Sequence, residues 1–429
     1  MLSARQSIYM PSVAVQTDAP LAPPRPKRSR KRPAATAYTD EERRYYRSLS
    51  AEAQAEIDLA EEAVGEINDV SVPARFRVLC AGIPAASKAV AVRKLDALAG
   101  MDPSSGEYHK LSQWMDAVCR MPFGRTETLP VSSSSPPEDV RRFLTSARAR
   151  LDAAVHGHAA AKDQIVRILA QWVAKPDARG AIIGIHGPMG CGKTTLIKDG
   201  ICPTLGLPFA FVPLGGASDA AFLEGHSYTY EGSTWGRIAD VLLKAGCMNP
   251  VLYFDELDKV SETRRGDEIV NVLIHLADQS QNDRFQDRYF SDFELDLSRC
   301  LIFFSFNDES RINPILRDRM QRIETAGYGL QEKQAIARGH LVPGVLHEHG
   351  MTVRDVEFCD GVIADVVAAI EPEEGVRNLK RALQDIVSHL NLERIMSGTP
   401  ALPHSVTTTE CQRYLVGRRR AAPNNMMYI

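Results

Sequence analysis

The amino-acid sequence predicts an α/β fold, a parallel sheet flanked by helices, with a helical region before it and a smaller helical one after it. Three observations predict this. Five apolar stretches, at 181–186, 208–214, 250–255, 300–306 and 321–326, read as strands with helical segments between most of them, which is the alternation of a parallel sheet with crossover helices. A glycine-rich run follows the first stretch directly, and two adjacent acids close the third.

The chain has ample length for such a body. Its 429 residues predict two or three domains, and 44% hydrophobic with 24% charged residues is ordinary globular composition. A net charge of −3 gives no overall attraction to nucleic acid. No apolar run approaches the roughly 18 residues that span a bilayer, so no membrane partner is expected. The eight cysteines include no C-x-x-C pair and no Cys/His cluster, which argues against a zinc site and for a reducing compartment.

In chain order, residues 1–38 form a basic tail expected to be disordered, since the first 37 are rich in Pro, Ala and Ser and hold one acid, Asp18. Within them Arg25-Pro-Lys-Arg-Ser-Arg-Lys-Arg32 carries six basic residues. It reads as a nuclear localisation signal, with a nucleic-acid-touching tail or an organellar leader as alternatives, so the expected compartment is nuclear or cytoplasmic. Thr39-Asp-Glu-Glu42 is a capping box that should open one long helix, whose Leu49, Ala53, Ile57, Ala60, Val64 and Ile67 form a packing seam. A second helical region runs from Pro73 to Phe123, interrupted at Met101–Gly106. The stretch 126–137, with its Ser132-Ser-Ser-Ser-Pro-Pro137 run, reads as a flexible linker between this helical region (39–125) and an α/β domain (138–328). Helices at Leu330–His340, Asp360–Ile370 and Val376–Met396 make a small domain (329–396), and 397–429 is expected to be a tail.

The chemistry sits at the strand ends. Gly187-Pro-Met-Gly-Cys-Gly-Lys-Thr-Thr195 reads G-x-x-x-x-G-K-T after a strand, the spacing of a phosphate-binding loop. Gly187, Pro188, Met189, Gly190, Cys191, Gly192, Lys193, Thr194 and Thr195 would cradle the phosphates of ATP on successive N–H groups. Lys193 would reach the β- and γ-phosphates, and Thr194 would ligate Mg²⁺. The thiol of Cys191 reads as a small tolerated residue rather than a redox switch. At the end of Val251-Leu-Tyr-Phe-Asp-Glu-Leu257, Asp255 is placed to hold the metal through water, and Glu256 to polarise the water that attacks the γ-phosphate.

The motifs between Gly187 and Arg377 resemble the AAA+ module of the Lon family of ATP-dependent proteases. The strings that carry the likeness include Leu214-Gly-Gly216, Glu224-Gly-His226, Thr229-Tyr-Glu-Gly232, Gly236-Arg-Ile238, Asn249-Pro-Val251, Asp255-Glu-Leu-Asp-Lys259, Arg265-Gly-Asp267, Asp318-Arg-Met320 and Gly375-Val-Arg377. Upstream, Pro103-Ser-Ser105, Glu107-Tyr108 and Met121-Pro-Phe-Gly124 look like the end of that family's N-terminal region, so the likeness covers about 75–396.

The resemblance implies an ATPase with further site residues. Asn307 matches the sensor-1 position that holds the attacking water, a turn-forming asparagine being the alternative. Arg319 matches the arginine finger, supplied to a neighbouring subunit, and Arg377 matches sensor 2. A finger given in trans implies a homohexamer acting on protein substrates. Tyr230 falls where such rings carry the aromatic pore loop, the alternative being a buried core tyrosine. Here the sequence departs from the family pattern, with Glu231 for an apolar neighbour and Trp235 for a proline. Only 33 residues follow Met396, so no serine-lysine protease domain, and no peptide cleavage, is expected. A nucleic-acid-associated ATPase, or an ATPase subunit serving a separate protease, is the alternative function.

Overall fold

The computed structural model describes residues 38–67, 72–217, 219–230, 232–260 and 263–415. The basic tail, Glu231 and the Gly417–Arg420 run lie outside the described residues. The chain divides into two compact units, 1–72 and 73–429.

In the first unit, Thr39 caps a helix Asp40–Ser48. Its hydroxyl accepts from the Glu42 N–H at 3.3 Å, and the Glu42 carboxylate accepts from the Thr39 N–H at 2.6 Å. The single long helix expected from here breaks at Leu49, which is extended (φ −76°, ψ 155°). Ser50 then starts a new helix, Ala51–Ile67, its carbonyl accepting from Gln54 and its hydroxyl from Ala53. Serine competes for local backbone groups and so favours a cap over a helix interior. Leu49, Ala53 and Ile57 of the expected seam are half-buried and Ala60 is exposed. Val64 and Ile67 fall where side chains are not described.

The second unit is organised by five strands: β1 Ile182–His186, β2 Phe209–Pro213, β3 Val251–Asp255, β4 Leu301–Phe306 and β5 Gln321–Glu324. Each lies within two residues of its expected range. All neighbours are parallel, in the order β2-β3-β4-β1-β5. The register pairs Ile182 with Ile302 and Val251 with Leu301, so the C-terminal ends of β3, β4 and β1 lie side by side at one edge. That edge is where ligands bind in open parallel sheets.

Strand β4, Leu-Ile-Phe-Phe-Ser-Phe, is buried along its whole length because helices cover both faces of the sheet. Successive side chains point to opposite faces. Leu301 and Phe303 join Ile183, Ile185 and Tyr253 under helices Pro137–Ala154 and Ala159–Ala174. Ile302, Phe304 and Phe306 join Leu252 and Phe254 beneath helices Arg237–Ala245 and Arg264–Leu276.

The helices Ala74–Cys80, Ala85–Ala99 and Gly106–Arg120 do not form a separate body. Val78, Ala91, Trp114, Met115 and Val118 belong to the same hydrophobic layer as Phe304. The expected linker is likewise held in place at its start. Met248 N–H donates to the Arg125 carbonyl at 2.7 Å, the Asn249 side chain accepts from Glu127 N–H and donates to its carbonyl, and Arg299 donates to Thr126 Oγ1. A Ser/Pro composition reports local chain preference and carries no information about partners more than a hundred residues away.

The small domain is larger than expected. To helices Leu330–Ile336, Asp360–Ala369 and Arg377–Ser397 it adds Val342–Glu348, Thr408–Tyr414 and a parallel pair, β6 Val356–Glu357 with β7 His404–Ser405. Cys411, Tyr414 and Leu415 are buried with Leu346, Ile363, Leu383 and Ile386. Residues 404–415, expected to be tail, therefore complete this core. A second capping box at Thr407 and Glu410 marks the added helix. No helix among the described residues is long and apolar enough to cross a membrane.

Candidate active site

The phosphate-loop sequence leaves β1 and enters a helix at Lys193. Gly190 (φ +79°) and Gly192 (φ +81°) take left-handed backbone that only glycine adopts without strain. Lys193 folds back over the loop and donates to Asn307 Oδ1 at 2.7 Å, to the Pro188 carbonyl at 3.0 Å and to the Gly187 carbonyl. Burial lowers the Lys193 pKa. Because β1 and β4 are adjacent, Asn307 at the tip of β4 meets Lys193 without any long reach. Its carbonyl pairs with His186 Nε2 at 3.1 Å.

At the tip of β3 the Asp255 carboxylate accepts from the Ser305 hydroxyl on neighbouring β4. Glu256 has φ +59° and ψ +46°, a left-handed conformation costly for a residue with a side chain. The turn sends its carboxylate toward Gly215, where a Cβ would collide with Glu256 Oε2. Thr194 Oγ1 lies 3.0 Å from the hydroxyl of buried Tyr253, whose pKa burial pushes up to about 12, so the phenol keeps its proton.

Met189, Gly190, Cys191, Gly192, Lys193, Thr194, Thr195, Asp255, Glu256, Asn307 and Arg377 line one cavity of about 530 Å³. The small domain closes its far side, with the Val376 N–H donating to the Gly190 carbonyl at 3.2 Å. Gly187 and Pro188 contribute carbonyls to Lys193 from just outside this lining. Burial raises the Cys191 pKa, which disfavours a reactive thiolate and agrees with a small packing residue.

Two expected residues stand elsewhere. Arg319 is not among the cavity's lining residues; its Nη1 donates to the Ile274 carbonyl at 2.8 Å and its Nη2 pairs with Asp278 at 3.0 Å. Tyr230 is 69% exposed on a loop, so it is not a core tyrosine.

Several residues that shape the site carried no sequence signal. Tyr253 and Ser305 support Thr194 and Asp255 from inside strands, where they read as ordinary strand residues. The Tyr328 hydroxyl donates to the Cys191 carbonyl at 2.9 Å and meets His158 Nε2 at 2.8 Å, tying the start of the small domain to the loop. Burial holds the His158 pKa low, so its ring is neutral there. Lys380 and Arg381, one turn beyond Arg377, also face the cavity.

The donor set fits a nucleotide with a hard divalent cation. The loop ammonium is paired only with neutral oxygens, which an anionic phosphate would replace on better terms. Thr194 and Asp255 supply the hydroxyl and carboxylate oxygens that Mg²⁺ prefers.

Residues 183–328 match the model of the ATPase family associated with various cellular activities (AAA). The chain is also similar to curated proteins. A Lon protease homolog of Acanthamoeba polyphaga mimivirus is 38% identical over 61% of this chain and 25% of its own length. The Lon protease of Salinispora arenicola is 35% identical over 82% of this chain and 44% of its own. The peroxisomal Lon protease homolog 2 of Arabidopsis thaliana is 34% identical over 72% of this chain and 33% of its own. The matched stretch thus spans less than half the length of these relatives. With the parallel sheet, the glycine loop and the strand-end acids in place, these likenesses identify an AAA ATPase module of the Lon type in this chain.

Proposed function

We propose that this chain is an ATP-driven motor that works as a homohexamer and unfolds or remodels protein substrates by drawing them past the Tyr230 loops. The observation that carries the reading is the convergence of Lys193, Thr194, Asp255, Glu256 and Asn307 on one cavity at the sheet edge, closed by Arg377 from the small domain.

The loop N–H groups would bind the phosphates of ATP, and Lys193 would exchange Asn307 and the loop carbonyls for the β- and γ-phosphates. Freed of the ammonium, the Asn307 amide can orient water beside Glu256, whose carboxylate accepts the proton as that water attacks. Thr194, and Asp255 through water, would hold Mg²⁺, which when bound would offset the phosphate charge. Gly375 and Val376, next to Arg377, touch Met189 and Gly190 of the phosphate loop, so a change in phosphate charge would reach the small domain directly. Arg319 would complete the site of a neighbouring subunit, offsetting charge as it develops. Peptide cleavage, which the relatives' names carry, is assigned to none of these residues.

The test is steady-state ATPase of the purified protein alone, with an unfolded polypeptide and with DNA, beside Glu256→Gln. The expected outcome is turnover stimulated by polypeptide, with Glu256→Gln binding ATP and losing turnover by about 10²-fold or more. Loss of unfolding but not ATPase in Tyr230→Ala supports threading; unfolding at the wild-type rate removes it. A second reading, a nucleic-acid-associated ATPase, is favoured by the Arg25–Arg32 run and predicts stimulation by DNA alone.

A further inference from the structure

Away from the nucleotide cavity, an aromatic cluster surrounds both roots of the loop that carries Tyr230. At its first root, the Tyr228 ring lies 6.0 Å from that of Trp114 and 6.4 Å from that of Tyr289. At its second, Trp235 meets Tyr289 at 5.6 Å and Phe290 at 6.1 Å. The Gly236 N–H donates to the wholly buried Asp287 at 2.8 Å, and the His226 N–H closes the loop on the Thr234 carbonyl at 3.2 Å.

Lys94 joins three separate segments at this place. Its ammonium sits 3.9 Å from the Trp114 ring centroid, 4.6 Å from that of Tyr228 and 2.5 Å from Asp292. Trp114 is itself fully buried and donates from Nε1 to the Tyr289 carbonyl at 2.9 Å. A lysine charge with only 20% of its side chain exposed is retained at such a spot only where partners compensate its lost hydration, and here two π faces and a carboxylate do so. Helices Ala85–Ala99 and Gly106–Arg120 thereby grip the loop root, while Tyr230 two residues further on stands free.

We propose that Lys94 and Trp114 are positioning residues for the Tyr230 loop, acting through Tyr228 to make the N-terminal helices the anchor against which that loop pulls. The inference rests on the motor reading above. A loop moved by hydrolysis transfers force to a substrate only if its root yields less than the load. Without the clamp at Tyr228, the first root loses its aromatic contacts with the body beneath it and part of each stroke is absorbed in the loop.

The experiment counts ATP hydrolysed per molecule of a reporter protein unfolded, for the full chain with Mg²⁺ and ATP, in wild type, Lys94→Met, Tyr228→Leu, Tyr228→Phe and Tyr230→Ala, with a melting curve for each. Lys94→Met keeps the lysine stem's volume, and its basal ATPase and melting temperature are expected to match wild type. Its ATP consumption per unfolding event is expected to rise about threefold or more, with Tyr228→Leu alike and Tyr228→Phe restored, because phenylalanine keeps the π face. Wild-type coupling in Lys94→Met and Tyr228→Leu, alongside a Tyr230→Ala that cannot unfold, overturns the anchor and leaves the motor standing. Unfolding by Tyr230→Ala overturns the motor reading and the anchor with it. If Lys94→Met melts early, the Tyr228 pair decides: equal coupling in Leu and Phe variants refutes the anchor.

Discussion

Gly375 is where the small domain touches the phosphate loop, and adding a single methyl there separates contact from chemistry. A Cβ on Gly375 would lie 2.7 Å from the Gly190 carbonyl carbon and 2.9 Å from its Cα, and it would collide with the Met189 carbonyl oxygen. All three neighbours are backbone, so no side chain can swing aside. Restoring ordinary contact near 3.4 Å needs a shift of more than about 0.7 Å between the two domains, the Met189 oxygen demanding the most, in an interior that is otherwise close-packed. Overpacking of this kind costs about 1–3 kcal/mol, or ~1–4 °C in melting temperature for a body of this size. The shift also moves Val376 off the Gly190 carbonyl and carries Arg377 away from the cavity, for which a loss in kcat/KM of about 10- to 100-fold is expected. The assay is steady-state ATPase beside thermal melting, with Gly344→Ala as control. Gly344 lies in helix Val342–Glu348 with nothing within 4 Å of its Cβ position, so alanine there should be neutral or stabilising by up to ~1 kcal/mol. Wild-type kcat/KM in Gly375→Ala would refute the claim that this contact transmits nucleotide state.

Two further outcomes follow from buried polar groups. Burial lifts the Asp287 carboxyl from 3.8 to about 7, against backbone N–H groups of Gly236, Tyr289 and Phe290 that favour its charge. Because the folded value lies above the unfolded one, its contribution to stability is complete below about pH 4 and is lost as pH rises towards 7, an effect of order 4 kcal/mol; urea titrations of wild type and Asp287→Asn across this window should differ by that slope, and parallel curves would contradict it. Asn249→Ala removes both side-chain hydrogen bonds to Glu127 and should cost about 1–3 kcal/mol, read as faster tryptic cleavage at Arg125 with ATPase largely kept.

The strands were legible because a sheet covered on both faces demands continuous apolar runs, and Leu301–Phe306 is one. The phosphate-loop residues were legible because glycine and lysine at fixed spacing have few other uses after a strand. The support beneath them was not: Tyr253 and Ser305 look like any strand residues until β3 and β4 are laid side by side. Thr407 and Glu410 did carry a readable capping signal for the last helix, outweighed by the polar, Pro-containing stretch before it. The Ser/Pro stretch before Glu138 misled for the converse reason, since Asn249 and Arg299 hold its approach from far along the chain.

By itself the sequence determined the α/β alternation, the phosphate loop and the identity of the acids, arginines and asparagine available for chemistry, because those depend on side-chain type and short spacing. Only the tertiary structure decided that Asn307 would meet Lys193, that Arg319 would face Asp278 rather than the cavity, and that Lys94 would lie between Trp114 and Tyr228. Such contacts follow from strand order and from helices packing across long sequence gaps, where burial and desolvation, not local propensity, choose the partner.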